Sequence, residues 1–416
     1  MGDAARTVFH GFSRLVPWFW KHLVLSGFKS ASSSRPSSGR GSLALPGESP
    51  MKSRVLAALA AGSLLAVPLV AAPAHAAGAS EHSKPSIDSV QSVAEGLVGP
   101  LKVAFGPEGS YLVAEAFGGI LSSISTDGTR QVLVSAPGKE IAGVSHDRGN
   151  TYYFENLAGT DEDPQAEGPA LVKAIDAQGS TRTFADLFEY EVAHDPDGQT
   201  LYGVRDASPE CLAQAPYLQT HGEVYSHPYS SVPAANGLYV GDAGGNALYH
   251  VAADGTVTLL KTLPAEPIKI AEQVAALAGE MGLAVPECMM GLDYWAQPVP
   301  TDITVHKQWL YYAVLPGVPG EGLSKGKVYR MNLHSKVTQL VATGLNAPTG
   351  VAVDDRGRVF VAELFGGGVG AIRHSESMTV LPVPMASDVA IDGTRVAVTA
   401  NALTPSGTLL SARIAR

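Results

Sequence analysis

Two glutamates, Glu115 and Glu363, stand 248 positions apart in nearly the same phrase, LVAEAFGG at 112–119 and FVAELFGG at 360–367. Weaker copies of the phrase place Glu155 and Asp242 at the equivalent position. A ring of carboxylates at one level could hold a metal ion or pass a proton. A carboxylate that recurs with its turn can instead accept the N–H groups of that turn. Repetition favours the second role, because a catalytic site breaks symmetry, so Glu115, Glu155, Asp242 and Glu363 are expected as structural turn caps.

A second polar set stands where an apolar strand begins, in GPLK, KEIA, SHPY, VPTD, APTG and MASD. It comprises Lys102, Glu140, His227, Thr301, Asp302, Thr349 and Asp388. Asp302 and Asp388 occupy equivalent places two repeats apart. With His227 or Glu140 they could bind a hard cation such as Ca²⁺ or Mg²⁺, which prefers oxygen ligands. Lys102, Glu140, His227 and Thr301 are expected to line a channel that a ligand could enter. His194 and His221 are loop histidines, and an imidazole does no acid–base work without partners. The sequence has no nucleophile elbow, P-loop, HExxH or CxxC, so no catalytic residue is assigned.

The elements that must position these groups are short strands. The copies of the phrase are YLVAEAFGG (111–119), YYFENLAG (152–159), LYVGDAGG (238–245), LYYAVLPG (310–317), VFVAELFGG (359–367) and VAVTANAL (396–403). An apolar strand and a turn precede each one. A second hairpin follows, as in 120–134, 247–263 and 327–345, with Asp127-Gly128 and Asp254-Gly255 as turn pairs. Four antiparallel strands per unit make a propeller blade. The equivalents of Glu115 are separated by 40, 87, 72, 49 and 37 residues. Three of these gaps match a blade of roughly 40–50 residues. The two long gaps hold insertions, at about 190–226 and 264–298, and each insertion holds one cysteine.

The last unit ends at its third strand, TLLSARIAR, whereas SVQSVAEGL (89–97) resembles a fourth strand such as KVTQLVATGL. The expected fold is therefore all-β, a six-bladed propeller closed by its N-terminal strand, which removes the open edge. Seven blades is the alternative, since VAHDPDGQTLYGVRDAS (192–208) could begin another. The 18 residues Pro209 to Ser226 look short for its remaining strands. One helix is expected in the second insertion, with Ile270, Val274, Leu277 and Met281 at helical spacing, Pro267 in its first turn and Gly282 as its stop.

Residues 51–76 read as a secretory signal peptide. Lys52 and Arg54 precede an apolar run that ends in Ala74-His75-Ala76. Residues 1–50 then read as an early-assigned start or a disordered extension, 77–87 as a linker, and 88–416 as the propeller. A secreted location follows, with no membrane span once the signal is removed. Residues 1–76 carry eight of the 29 Lys/Arg and two of the 39 Asp/Glu. The remainder therefore has 21 basic and 37 acidic residues, a net charge of −16. Such an acidic protein repels phosphate backbones, which argues against nucleic-acid partners. In an oxidising compartment the lone cysteine pair, Cys211 and Cys288, is expected to form a disulfide that staples the two insertions.

The ordered set GPLKVAFGPEGSYLVAEA, YEVAHDPDG, SHPYSSV, LYVGDAGGNALYHVAADGTV, PVPTDITV and GKVYRM resembles the ScyD/ScyE family of exported propellers over roughly 88–416. The third unit also looks like an NHL-type blade. The resemblance implies export and a six-bladed propeller and carries no catalytic residue. The sequence thus supports a secreted binding or scaffold protein for an extracellular ligand or protein. The alternative is a metal-dependent propeller enzyme, lactonase-like or streptogramin-lyase-like, working through a channel cation.

Overall fold

Blade-like repetition demands strands of two kinds, and the burial of each strand follows its sequence. The computed structural model describes residues 85–158, 168–280 and 282–415. The expected signal peptide, the residues before it and Met281 lie outside the described residues. Second strands of the units are mostly buried, and β3 (Tyr111–Glu115) is buried at every position, because a blade is covered on both faces. A continuous apolar run is the mark of such a strand. Fourth strands such as β5 (Arg130–Ser135) face outward and are largely exposed.

Among the described residues seven four-stranded antiparallel sheets result. The first blade is β2 (Pro100–Phe105), β3, β4 (Ile120–Ile124) and β5. The second is β6 (Lys139–Asp147), β7 (Asn150–Leu157), β8 (Leu171–Ile175) and β9 (Thr181–Asp186). The third is β12 (Pro228–Ala234), β13 (Gly237–Asp242), β14 (Ala247–Ala252) and β15 (Val257–Thr262). The fourth is β18 (Pro298–His306), β19 (Trp309–Pro316), β20 (Gly326–Asn332) and β21 (Thr338–Leu345). The fifth is β22 (Pro348–Val353), β23 (Val359–Glu363), β24 (Gly368–Arg373) and β25 (Glu376–Pro382). The sixth is β26 (Asp388–Asp392), β27 (Arg395–Ala400), β28 (Gly407–Ile414) and β1 (Ile87–Leu97). All six copies of the opening phrase lie on second strands or run on from their ends. The inner strands neighbour one another in the order β2, β6, β12, β18, β22, β26 and back to β2. Pairing of β1 with β28 closes the ring with the N-terminal strand, in register from Ile87↔Ile414 to Leu97↔Gly407.

While the ring itself is made by six inner strands, a seventh four-stranded sheet brings the count of sheets to that of the alternative. It has the order β11-β10-β17-β16, from β10 (Leu201–Val204), β11 (Gln219–His221), β16 (Glu266–Lys269) and β17 (Asp293–Ala296). It begins in the stretch from which the seven-blade alternative started. Its other half comes from the second insertion, which is why 18 residues sufficed. This cap sheet joins both insertions through Gly203↔Trp295 and Val204↔Tyr294. Val204, Cys211, Ala215, Leu218, Ile270 and Met289 form a small core of its own. Cys211 and Cys288 are disulfide-bonded.

The helix expectation needs two corrections. The helix of the second insertion, α3 (Glu272–Glu280), starts five residues after Pro267, which lies in β16. Glu266, Ile268 and Ile270 are buried while Pro267 and Lys269 are exposed. That period of two makes EPIKI a strand entry rather than a first helical turn. Gly282, at φ +79°, does follow the helix in the left-handed conformation a stop requires. The first insertion also carries helices, α1 (Leu187–His194) and α2 (Pro209–Leu212). Asp186 caps α1 by accepting the Phe188 N–H, and Ser208 caps α2 by accepting the Cys211 N–H. Among the described residues no helix is long and apolar enough to cross a membrane.

Candidate functional site

Three of the four repeated acids, Glu115, Asp242 and Glu363, are buried clasps. Glu115 is fully buried; its Oε2 accepts the Val98 N–H at 2.9 Å. Its Oε1 accepts the Ser122 hydroxyl at 2.6 Å and an Arg130 N–H at 2.5 Å. Glu363 repeats this, accepting the Asn346 N–H at 2.8 Å and the Ser377 hydroxyl at 2.5 Å. Val98 and Asn346 each precede their glutamate by 17 residues. Both glutamates therefore hold the end of a second strand to the segment entering the same blade, and Glu115 makes no cap to the turn after it. Asp242 does cap its turn, accepting the Gly244 and Gly245 N–H groups at 3.0 and 3.1 Å, and also the His227 N–H at 2.7 Å. Glu155 pairs with Lys173 at 2.7 Å.

The channel residues come together, through a device built into the inner strands. In β2, β12, β18 and β22 a proline at or near the start of the strand is followed by an irregularity in the ladder, at Pro100/Lys102, Pro228/Ser230, Pro300/Asp302 and Pro348/Gly350. Proline brings no N–H to a ladder, and a bulge re-aims the side chain after it. Thr301-Asp302 and Ser387-Asp388 then lace each blade to the next in the same way. The Thr301 hydroxyl donates to the Pro348 carbonyl and the Ser387 hydroxyl to the Pro100 carbonyl, both at 2.6 Å. Asp302 Oδ2 accepts the Val351 N–H at 2.6 Å, and Asp388 Oδ2 accepts the Val103 N–H at 2.8 Å.

The inner oxygens of both aspartates meet Lys102. Its Nζ lies 2.9 Å from Asp302 Oδ1 and 3.8 Å from Asp388 Oδ1, and donates to the Thr349 carbonyl at 2.6 Å. It also stands 5.1 Å from the centre of the Tyr229 ring. Glu140 and His227 form a separate pair at 2.8 Å. Lys102, Glu140, His227 and Thr301 are all at most 3% exposed, so they face one another rather than an open channel. Burial pushes the Asp302 and Asp388 carboxyls up, and the Lys102 ammonium pulls them back. The expected Ca²⁺ or Mg²⁺ pair is thus altered: a divalent ion between these aspartates would have to displace the ammonium. The cation that stands between them is Lys102.

Sequence reasoning missed the acids of the cap side. Glu191, Asp195 and Asp197 bring one oxygen each within 4.8 Å of the others. Burial, with the neighbouring carboxylates Asp242, Asp197 and Asp195, pushes Glu191 up to about 9. Glu321 is 2% exposed, neither of its oxygens has a partner, and burial pushes its carboxyl up to about 8. The legible signal for the first group is the spacing Glu-x3-Asp-x-Asp-Gly at 191–198. His194 is exposed, bonded through Nδ1 to the Tyr190 carbonyl and stacked on the Tyr190 ring, and His221 is exposed on β11. Beside the cap core lies a small apolar pocket lined by Leu218, Ile270, Val274, Ala278, Val285 and Tyr294, among others.

No protein-family model matches the chain, and no curated protein does. Among solved structures it is similar to XC5397, a gluconolactonase from Xanthomonas campestris, at 13% identity and a TM-score of 0.47, covering 80% of this chain and 95% of that one. It is also similar to virginiamycin B lyase from Staphylococcus aureus, at 12% identity and a TM-score of 0.42, covering 76% and 95%. A third is the PQQ-bound aldose sugar dehydrogenase of Streptomyces coelicolor, at 13% identity and a TM-score of 0.45, covering 80% and 99%. The β-propeller assignment itself rests on the sheets and the ring of inner strands.

Proposed function

We propose that this chain is an exported binding propeller of the ScyD/ScyE type, in which the ring is scaffold and the cap is the recognition surface. One observation carries the reading: the cap sheet is woven from two insertions and locked by Cys211–Cys288. A cross-link over 77 residues of sequence fixes the relative position of the insertions without adding to the ring. Rigid repeats that present irregular loops are a common way to build a binding surface. The cap also exposes Tyr217, at 52%, next to Leu218 of the apolar pocket. A pocket this small suits one apolar group of a partner rather than a whole cofactor. In the channel Lys102 already stands between the two aspartates, where a channel cation would sit.

The test is site-specific photocrosslinking in the producing cells. A benzophenone amino acid at Tyr217 is expected to give a discrete adduct with an extracytoplasmic partner. The same probe at Leu340, equally exposed on the outer strand of the fourth blade, is expected to give none. No adduct from the cap, or equal adducts from both positions, would overturn the reading. So would lactone hydrolysis or lyase turnover by the purified chain that is lost in Lys102→Met.

A further inference from the structure

We propose that Glu191, Asp195 and Asp197 form a Ca²⁺ site on the cap side of the third blade, separate from the channel. The three carboxylates contribute one oxygen each within 4.8 Å of one another. Ca²⁺ holds its ligands at 2.3–2.6 Å, so opposed ligands stand about 4.6–5.2 Å apart; for Mg²⁺ the figure is about 4.1 Å. Oxygens this close can share one ion, and a site built from several protein carboxylates suits Ca²⁺, whereas Mg²⁺ usually keeps several waters.

A second observation points to a ligand. Glu191 and Asp197 are at most 1% exposed, yet Glu191 Oε1 and Asp197 Oδ1 have no hydrogen-bond partner. Asp195 Oδ1 is also buried and unpartnered. The other oxygens are fixed: Glu191 Oε2 accepts the Tyr249 hydroxyl at 3.2 Å. Asp197 Oδ2 accepts the Tyr202 hydroxyl at 2.8 Å and the Asn246 amide at 2.9 Å. Each anchored carboxylate thus keeps one oxygen in reserve. Among the described residues no Lys, Arg or His forms an ion pair with any of the three. Buried carboxylates left without a cation are costly, and a bound ion removes that cost.

The backbone is shaped around the oxygens. A Cβ at Gly198 would come within 1.9 Å of the Asp195 carboxylate, and one at Gly222 within 2.3 Å of Asp197 Oδ1. Asp195 is the C-cap of α1, at φ 40°, so the negative end of the helix dipole adds to the field. The set is oxygen-only, because His194 is bonded to the Tyr190 carbonyl and stacked on its ring. That excludes the nitrogen and sulfur ligands zinc prefers. The site would also tie α1 and the loop into the cap to the third blade, from which Tyr249 and Asn246 come.

Calorimetric titration of the chelator-stripped full chain with CaCl₂ tests this. One Ca²⁺ per chain is expected, with Kd between about 10⁻⁶ and 10⁻³ M. At a hundredfold excess over Kd the Tm should rise by about 4 °C. Glu191→Gln and Asp197→Asn should each weaken binding at least about tenfold, and Glu191→Gln should melt higher than the unaltered chain in chelator. Should those variants fail to fold, Tb³⁺ added to the unaltered chain should luminesce on tyrosine excitation, lose that emission to Ca²⁺, and emit less in Tyr249→Phe. No Ca²⁺ binding by the unaltered chain up to about 10 mM, or binding unchanged in the folded variants, would overturn the site.

Discussion

The channel and the cap side each hold a cluster of buried acids, and the two are built on opposite plans. In the channel every described oxygen of Asp302 and Asp388 has a role: one accepts the N–H of the next blade, the other faces Lys102. On the cap side Glu191, Asp195, Asp197 and Glu321 keep oxygens that nothing among the described residues satisfies. In the ring this matching is made at Asp302 and Asp388, whereas Glu140 of the second blade keeps its Oε1 unpartnered. Insertions lack the ring's repetition, and unpaired groups in them are places where something from outside can act.

The largest expected effect breaks the channel side. Asp302→Ala removes an interblade acceptor and leaves Lys102, 3% exposed, short of its nearest counter-charge. Breaking a buried pair from one side costs about 3–5 kcal/mol, read as a lower denaturant midpoint. Lys102→Met, which leaves two buried carboxylates to repel each other, should cost a similar amount. If both variants melted like the unaltered chain, the channel would not be the matched cluster described.

Next in size is a pH effect from the cap side. Glu321 lies in the turn Gly320–Gly322, and a Cβ at Gly320 would stand 2.9 Å from Ile268 of the cap. Its carboxyl is raised from an ordinary value of 4.5 to about 8 by burial. The folded chain keeps this proton through the window in which the unfolded chain gives it up. Its contribution is therefore intact below pH 4.5 and is lost as pH rises toward 8. Between pH 5 and 7 one such group lowers stability by about 2.7 kcal/mol. Glu321→Gln should remove that share of the slope in denaturant melts at the two pH values; an identical slope would show the acid to be solvated.

A second cap-side effect, of similar size, has the opposite sign to the channel's. In chelator at pH 7, Glu191→Gln should raise stability by up to about 3 kcal/mol, since the folded carboxyl must hold a proton that the unfolded one gives up and an amide need not. Loss of stability in this variant would place Glu191 with the matched acids and erase the contrast.

How much of this was legible follows the same division. The second strands were readable because YLVAE and VFVAE are short apolar runs bounded by turn residues, both local signals. Closure by β1 was readable because its sequence repeats a fourth strand. Asp302 and Asp388 were recognisable as equivalents, but Lys102 comes from β2, beside Asp388 and across the ring from Asp302, and no spacing along the chain shows that it reaches them. The cap sheet was hidden because β10 and β17 pair across some ninety residues through only two positions, Gly203↔Trp295 and Val204↔Tyr294. Strands of three or four residues carry too little pattern to declare a partner. Pro267 and Ile270 misled for the same reason: the helical spacing of their side chains was compatible with a strand that only the cap defines.

The finest test asks how tightly the two insertions are joined besides the disulfide. The Tyr217 hydroxyl of the first insertion donates to the Ala284 carbonyl of the second at 2.7 Å, while half of the ring stays exposed. A solvent-accessible neutral hydrogen bond contributes about 0.5–1.5 kcal/mol. Tyr217→Phe should therefore leave the global denaturant midpoint almost unmoved with Cys211–Cys288 intact. In the Cys211→Ser/Cys288→Ser background the same change should raise hydrogen exchange of the Gly203 and Trp295 amides severalfold, because the cap sheet is then held by its own short ladder. Equal exchange in both backgrounds would mean the cap is fixed to the ring independently at each insertion. Glu266, bonded by the Tyr329 hydroxyl at 2.8 Å and paired with Lys327, would then be the anchor of the second insertion, and the disulfide would be redundant to the recognition surface.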